Sequence, residues 1–263
     1  MDATLLILLA IGLSLTMAGA WAIQRVTGMS GWIDTVWSAA VGLFGLVAVI
    51  FADGNDARRL VAGLLIFGWS ARLGLHIAGR TRLGGEDPRY AKLIEDWGSA
   101  ASFRLFLFLQ VQALAAFILV LAVYLAGANA DPFGITDVLG IIIALIALGG
   151  EALADHQLSR FRKQPHAKGA VCEVGLWRYS RHPNYFFEWL GWCAWPFLAL
   201  SVDNGFSLLS LLAPILMYWL LVHVSGIPPL EEHMLRSRGD AFRALQKRVN
   251  AFFPGPRKQG DPV

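Results

Sequence analysis

Runs of apolar residues, each about as long as a bilayer crossing, dominate the sequence. They cover roughly 3–23, 33–52, 60–79, 103–126, 135–154, 183–202 and 206–225. A transmembrane helix needs about 20 predominantly apolar residues. The runs are unbroken, whereas an outer-membrane barrel shows short alternating segments, so a barrel is disfavoured. A soluble globule is disfavoured too. The chain is 56% hydrophobic and 16% charged, with mean hydropathy +0.53, against about 45–50% and 25% in an ordinary soluble domain. The same numbers exclude disorder. The first run lacks a basic leader and is too long for a signal-peptide core, so it reads as a span. The expectation is an all-α, polytopic helical membrane protein with seven transmembrane helices, forming a single membrane domain over 1–263.

Loop charge orients this arrangement. With the N-terminus outside, the inner side holds Arg25; Arg80, Arg82, Arg89, Lys92 and Arg104; Arg160, Arg162, Lys163, Lys168, Arg178 and Arg181; and seven cations beyond residue 225. That is 19 of the 22 basic residues. Arg58 and Arg59 fall outside and Arg72 within a span. The positive-inside rule then places the C-terminus and the long connections 80–102 and 155–182 in the cytoplasm. It also accounts for the net charge of +3 without any nucleic-acid partner. Cys172 and Cys193 suggest neither a disulfide framework nor a metal site.

Ionisable groups inside a span are expensive, roughly 2.5–3.5 kcal/mol each on insertion scales, so each needs a reason. Asp34 shares a face with Trp37 and reads either as a helix cap or as a functional acid. Trp69, Arg72, His76 and Arg80 form one stripe of the third span. Gln110 and Gln112 suit interhelical hydrogen bonds. Glu151, Asp155, Leu158 and Arg162 recur at i, i+4, i+7 and i+11. Two carboxylates in line with a guanidinium suit a polyhydroxy ligand bearing phosphates, against the alternative of an intrahelical ion-pair ladder.

The most specific segment is Arg181-His182-Pro183-Asn184-Tyr185 with Glu188 and Trp192 following. Pro183 fits the first turn of a helix. Asn184, Glu188 and Trp192 then share a face, and Arg181 and His182 sit at a helix start that attracts anions. Interfacial anchoring explains Tyr185 and Trp189 but not a buried Glu188. After the break at Ser225-Gly226-Ile227-Pro228-Pro229, Glu231, Glu232 and His233 are placed to fold back over this mouth.

Here the chain resembles the steroid 5α-reductase superfamily. The likeness rests on Arg-His-Pro-Asn-Tyr with Glu four residues after the Asn, on Trp-Ile-Asp-Thr-Val-Trp at 32–37, on Gly-Gly-Glu-Asp-Pro-Arg-Tyr at 84–90 and on Ser-Gly-Ile-Pro-Pro-Leu-Glu at 225–231. The resemblance implies a seven-span reductase using NADPH. It implies that Asp155 and Arg162 contact the cofactor, that Asn184 and Glu188 hold the nicotinamide amide, and that Trp192 lines that site. Glu151 stands where the family has Asn. Arg89, Lys168, Arg181, His182, Tyr185 and Glu231 complete the expected cofactor-binding set. Asp34 matches the carbonyl-polarising acid. The family's partner Tyr aligns with Trp69, which leaves His76 or Tyr90 to take its place.

Three functions compete. The first is NADPH-dependent reduction of the C=C bond of a lipophilic enone, a steroid or other lipid entering from the bilayer. Spans one to four (1–126) would take the substrate, and 127–263 the cofactor. The second is an S-adenosylmethionine-dependent methyltransferase of the isoprenylcysteine carboxyl methyltransferase type, which shares Arg-His-Pro-x-Tyr and a Glu-Glu tail. The third is a small transporter or lipid-binding membrane protein. It would explain intramembrane polar groups but not their crowding at one face of spans five and six, and the lack of an internal repeat also weakens an inverted-repeat transporter. The expected setting is a bacterial inner membrane with the active site facing the cytoplasm and no obligate protein partner.

Overall fold

The computed structural model describes residues 1–84, 87–167 and 169–258. The regular structure in them is helical throughout. In chain order the α-helices are α1 Ala3–Thr27, α2 Ile33–Ile50, α3 Asp56–Gly84, α4 Pro88–Trp97, α5 Ala101–Gly127, α6 Ile135–Arg162, α7 Pro183–Ala199, α8 Leu212–Trp219, α9 Ile227–Arg238 and α10 Asp240–Arg248. Among the described residues, six helical stretches are long and apolar enough to cross a membrane: Ala3–Thr27, Ile33–Ile50, Asp56–Gly79, Arg89–Gly127, Ile135–Arg162 and Gly205–Arg238. The run expected at 183–202 forms α7, which has 17 residues, about 25 Å of helix.

The chain divides into two compact units. The first comprises residues 1–140 and 195–213, the second residues 141–194 and 214–263. In the first unit α1 shows why such a sequence needs a bilayer. Its buried residues Leu5, Leu9, Leu13, Met17 and Ala20 form one stripe, while Ile7, Leu8, Ile11 and Leu15 lie exposed on the other faces. An apolar helix with only one packed face suits hydrocarbon around the rest. Asp2 caps it by accepting from the Leu5 N–H at 3.1 Å, and Gly28 at φ +71° ends it in the left-handed region.

Small residues let α2 and α3 approach closely. A Cβ added at Gly42 would meet Ser70 Oγ at 2.2 Å, and one at Gly45 would meet Ile66 Cγ1 at 2.8 Å. α5 supplies the unit's centre, with Leu105, Leu109, Ala113 and Ala116 buried and every residue from 119 to 127 buried. Arg58, which the sequence places on the outer side, lies in the first turn of α3 and is buried against Asp137.

In the second unit α6 and α7 pack where Gly150 faces Phe187. A Cβ there would lie 2.4 Å from the ring. The helix runs past the end of the apolar run at 154 to Arg162, so the spaced residues 151, 155, 158 and 162 lie on one helix. Phe161, Ala167, Cys172 and Trp177 then form a small core, fixed by a hydrogen bond from Trp177 Nε1 to the Ala154 carbonyl at 2.9 Å. The last apolar run is not one continuous α-helix. A 3₁₀ segment Gly205–Leu211 leads into α8, and a π-turn Leu220–Val224 follows it. Pro214 fits the first turn of α8, where its missing N–H costs nothing. α9 and α10 are polar helices joined at Gly239 (φ +52°), and Phe242, Leu245 and Val249 pack beneath Val171, Met234 and Leu235.

Candidate functional site

Each unit carries one polar cluster among the residues singled out from the sequence. In the first, Asp87 caps α4 by accepting from the Arg89 N–H at 2.9 Å, and Pro88 occupies the helix start. The cap fixes Arg89 and Tyr90 in the first turn. Tyr90 is 3% exposed, and its hydroxyl donates to Asp34 Oδ1 at 2.7 Å. Gln112 Nε2 donates to the same hydroxyl at 2.9 Å. Arg89 donates to Asp34 Oδ2 and also to Asp87 Oδ1 at 3.0 Å. Asp34 is therefore held by the side chains of α4, and α2, α4 and α5 meet at one phenol. Trp37 closes the cluster with a bond from Nε1 to the Gln112 carbonyl at 3.0 Å and an edge-on contact with Trp69.

An ion-paired carboxylate accepts hydrogen bonds and does not donate them. The hydroxyl donor of this cluster is Tyr90, and Asp34 accepts its hydrogen bond. Arg89, expected on the cofactor, sits on Asp34. His76 is exposed on α3. Gln112 was read from the sequence only as an interhelical glue residue. Its pairing with Tyr90 over 22 positions leaves no periodic signal.

In the second unit α6 presents Glu151 and Asp155, and α7 presents Asn184, Glu188 and Trp192 from successive turns. Pro183 is the first residue of α7, so its fixed φ sets the register of that face. Glu151 is buried, and Glu188 is 6% exposed. Trp192 Nε1 donates to Glu188 Oε1 at 2.9 Å. Asn184 Nδ2 donates to Asp155 Oδ1 at 3.3 Å. Arg162, at the end of α6, is exposed. Lys168 lies outside the described residues.

Arg181, His182 and Glu231 bind one another at the start of α7. Arg181 Nε donates to Glu231 Oε1 at 2.7 Å and Nη2 to Oε2 at 3.1 Å. His182 Nε2 lies 3.0 Å from Glu231 Oε1, and its ring stacks on Tyr185 with centroids 5.6 Å apart. Gln246 Nε2 adds a bond to Glu231 Oε2 at 2.7 Å. Burial holds the His182 imidazole below its ordinary value, with Arg181 acting the same way and the bond and charge of Glu231 opposing. The tail completes this node. Arg181 Nη1 donates to the carbonyls of Gln246 and Val249, and the Arg181 N–H to that of Asn250 at 2.9 Å. Ser180 Oγ donates to the Phe252 carbonyl at 2.8 Å. Nearby, burial pushes the Cys172 thiol above its ordinary value.

Chemically, a buried carboxylate beside an indole N–H can accept from an amide, and Asp155 can accept from hydroxyls. The family described as "Protein of unknown function (DUF1295)" matches residues 20–249. The chain belongs to that family. It includes steroid 5α-reductase-like proteins. An uncharacterized protein of Schizosaccharomyces pombe is 27% identical over 264 aligned residues, covering 89% of this chain and 75% of the yeast one. The family match spans both clusters, from Asp34 to Glu231, and stops just short of the Asn250, Ala251 and Phe252 carbonyls.

Proposed function

We propose that the protein is an NADPH-dependent reductase of a C=C bond conjugated to a carbonyl in a lipophilic substrate. The observation that carries this reading is the buried Tyr90 hydroxyl between Asp34 and Gln112. Reducing an enone places negative charge on the carbonyl oxygen, and a preorganised O–H donor stabilises it. Methyl transfer from a sulfonium needs no such acid. The supporting membrane arrangement has seven spans, with α7 as the sixth, the N-terminus outside and the cofactor residues at the cytoplasmic face of a bacterial inner membrane. The basic loops favour this orientation.

The second unit's residues fit the cofactor. Glu188 would accept from the carboxamide, Asn184 would hold the same group, Asp155 would accept from hydroxyls, and Arg162 would meet phosphate. When bound, NADPH would supply a hydride to the β-carbon of the enone, and a proton then reaches the α-carbon to complete the reduction. On the protein's side, the Tyr90 proton turns from Asp34 Oδ1 toward the substrate carbonyl. Gln112 holds the phenol oxygen in place, and Arg89 keeps the released Asp34 carboxylate paired. Burial of Tyr90 strengthens the hydrogen bonds made at its hydroxyl.

The test is purified protein in nanodiscs, titrated with NADPH and with S-adenosylmethionine, and then assayed for NADPH oxidation against a panel of lipophilic enones. NADPH binding with enone-dependent oxidation supports the reading. Binding of S-adenosylmethionine in place of NADPH would overturn it in favour of methyl transfer.

A further inference from the structure

His182 is a buried titratable group that the proposed mechanism does not use. Its side chain is 3% exposed. Nε2 faces Glu231, whose carboxylate also draws donors from Arg181 and Gln246. An anionic carboxylate can only accept, so Nε2 must carry the imidazole proton. Burial penalises the charged form of the ring and so favours the neutral one. In a neutral imidazole with Nε2–H, the other nitrogen is a bare acceptor. Nδ1 is fully buried and has no hydrogen-bond partner among the described residues. An unmade buried acceptor is costly, and stacking on Tyr185 prevents the ring from turning freely to find one. The chemistry that satisfies such an atom is a neutral donor, a hydroxyl or an amide N–H. A phosphate or carboxylate would meet it lone pair to lone pair.

We propose that Glu231 is a positioning residue that locks His182 in the Nε2–H tautomer, so that Nδ1 accepts one hydrogen bond from a hydroxyl or amide N–H of the ligand held at the start of α7. This rests on the reading of α6 and α7 as a cofactor site. It goes beyond that reading by making Glu231 act through the tautomer of His182 and not on the ligand itself. Glu231 reaches the motif only when α9 is docked, so the acceptor exists only with the tail in place.

The test uses protein labelled with ¹⁵N-histidine in nanodiscs. Nitrogen chemical shifts separate the two neutral tautomers and the imidazolium, and His182→Gln identifies the signal among the six histidines. The unliganded wild type should show Nε2–H with an unbonded Nδ1, and saturating NADPH should move Nδ1 to a hydrogen-bonded position. Glu231→Gln should give a tautomer mixture and weaken NADPH binding by about 3- to 10-fold, the size of one hydrogen bond. A merely structural Glu231 would leave the tautomer unchanged. A protonated Nδ1 would overturn the proposal. So would an Nδ1 already bonded to trapped water without ligand. An Nδ1 that does not respond while NADPH fluorescence reports binding would overturn it and leave the cofactor reading intact. If NADPH fails to bind, the cofactor reading fails. Adenosine and nicotinamide riboside, both hydroxyl donors, then probe Nδ1, and silence to both overturns the proposal as well.

Discussion

Arg58 and Asp137 meet as a two-pronged ion pair, with Nε–Oδ1 at 2.5 Å and Nη2–Oδ2 at 2.9 Å, and side chains 2% and 1% exposed. The remaining guanidinium protons go to the carbonyls of Asn129, Asp131 and Pro132. All five N–H groups of Arg58 are thereby used. Asp137 in turn accepts from the Gly134 N–H at 2.8 Å. Asn129 carries the chain of bonds further, donating to the Leu198 carbonyl at 3.0 Å.

Removing one partner of this pair strands a buried charge. Arg58→Ala should therefore destabilise the protein by about 3–5 kcal/mol. Asp137→Ala should do comparable damage, and the double variant should lose less than the two singles together. Thermal unfolding in detergent measures this. Strict additivity would show that the pair is not coupled.

Tyr90→Phe removes only the hydroxyl and leaves the ring on Phe108. Enone-dependent turnover should fall by about 10²–10⁴-fold, the range of general-acid effects, with NADPH affinity nearly unchanged. Asp34→Asn should show a smaller loss, because an amide still accepts from the phenol. Wild-type turnover in Tyr90→Phe would remove the phenol from the mechanism.

Glu188→Ala and Asn184→Ala should each remove most NADPH binding while the protein still folds. Glu188→Gln is the sharper variant. It keeps the size and an acceptor for Trp192 but loses the charge, so fluorescence titration should show weaker binding at unchanged thermal stability. Normal NADPH affinity in both alanine variants would mean that the ligand lies elsewhere.

His182 gives the fold a pH dependence of defined sign. Burial keeps its native value below the ordinary 6.5, so below that pH the unfolded chain binds more protons at this site than the native one. Its contribution to stability is present above about 6.5 and is lost as pH falls from there toward the lower native value. Arg181 beside the ring adds to the cost of protonation, and Glu231 limits it. Melting temperature against pH should fall less steeply in His182→Gln than in the wild type through that window. Parallel curves would clear His182 of the effect.

Orientation is open to cysteine labelling. Asp53→Cys and Val202→Cys, both at exposed positions, should react with an impermeant maleimide from outside, and Lys163→Cys only from inside. Cys172 is a suitable silent background, because burial raises its thiol and withholds the reactive thiolate. The reverse pattern would invert the topology.

What could be read in the sequence follows from periodicity. The apolar runs announced the membrane helices, and Pro183 with the 184/188/192 spacing announced the polar face of α7. Both are local signals. The Arg58–Asp137 pair joins residues 79 positions apart and the Arg89–Asp34 pair residues 55 apart, and no spacing rule reports either. Arg89 belongs to the expected cofactor-binding set, and a cationic loop residue carries no mark in the sequence of its carboxylate partner. The 3₁₀ and π stretches between 205 and 224 are equally apolar as an α-helix would be, so composition could not separate them.

The tail is held to Ser180 and Arg181 through main-chain carbonyls, at Gln246, Val249, Asn250, Ala251 and Phe252. Every residue type offers that same oxygen. Point substitutions along the strap can therefore accumulate without removing an acceptor, Gln246 excepted for its own side chain. Deleting a single residue between 246 and 252 is another matter. It would shift every later acceptor by up to about 3.3–3.6 Å, more than a hydrogen bond can stretch. The hydrogen bonds of the strap tolerate drift in spelling but not in length, while Val249 and Phe252 are also held by their buried side chains.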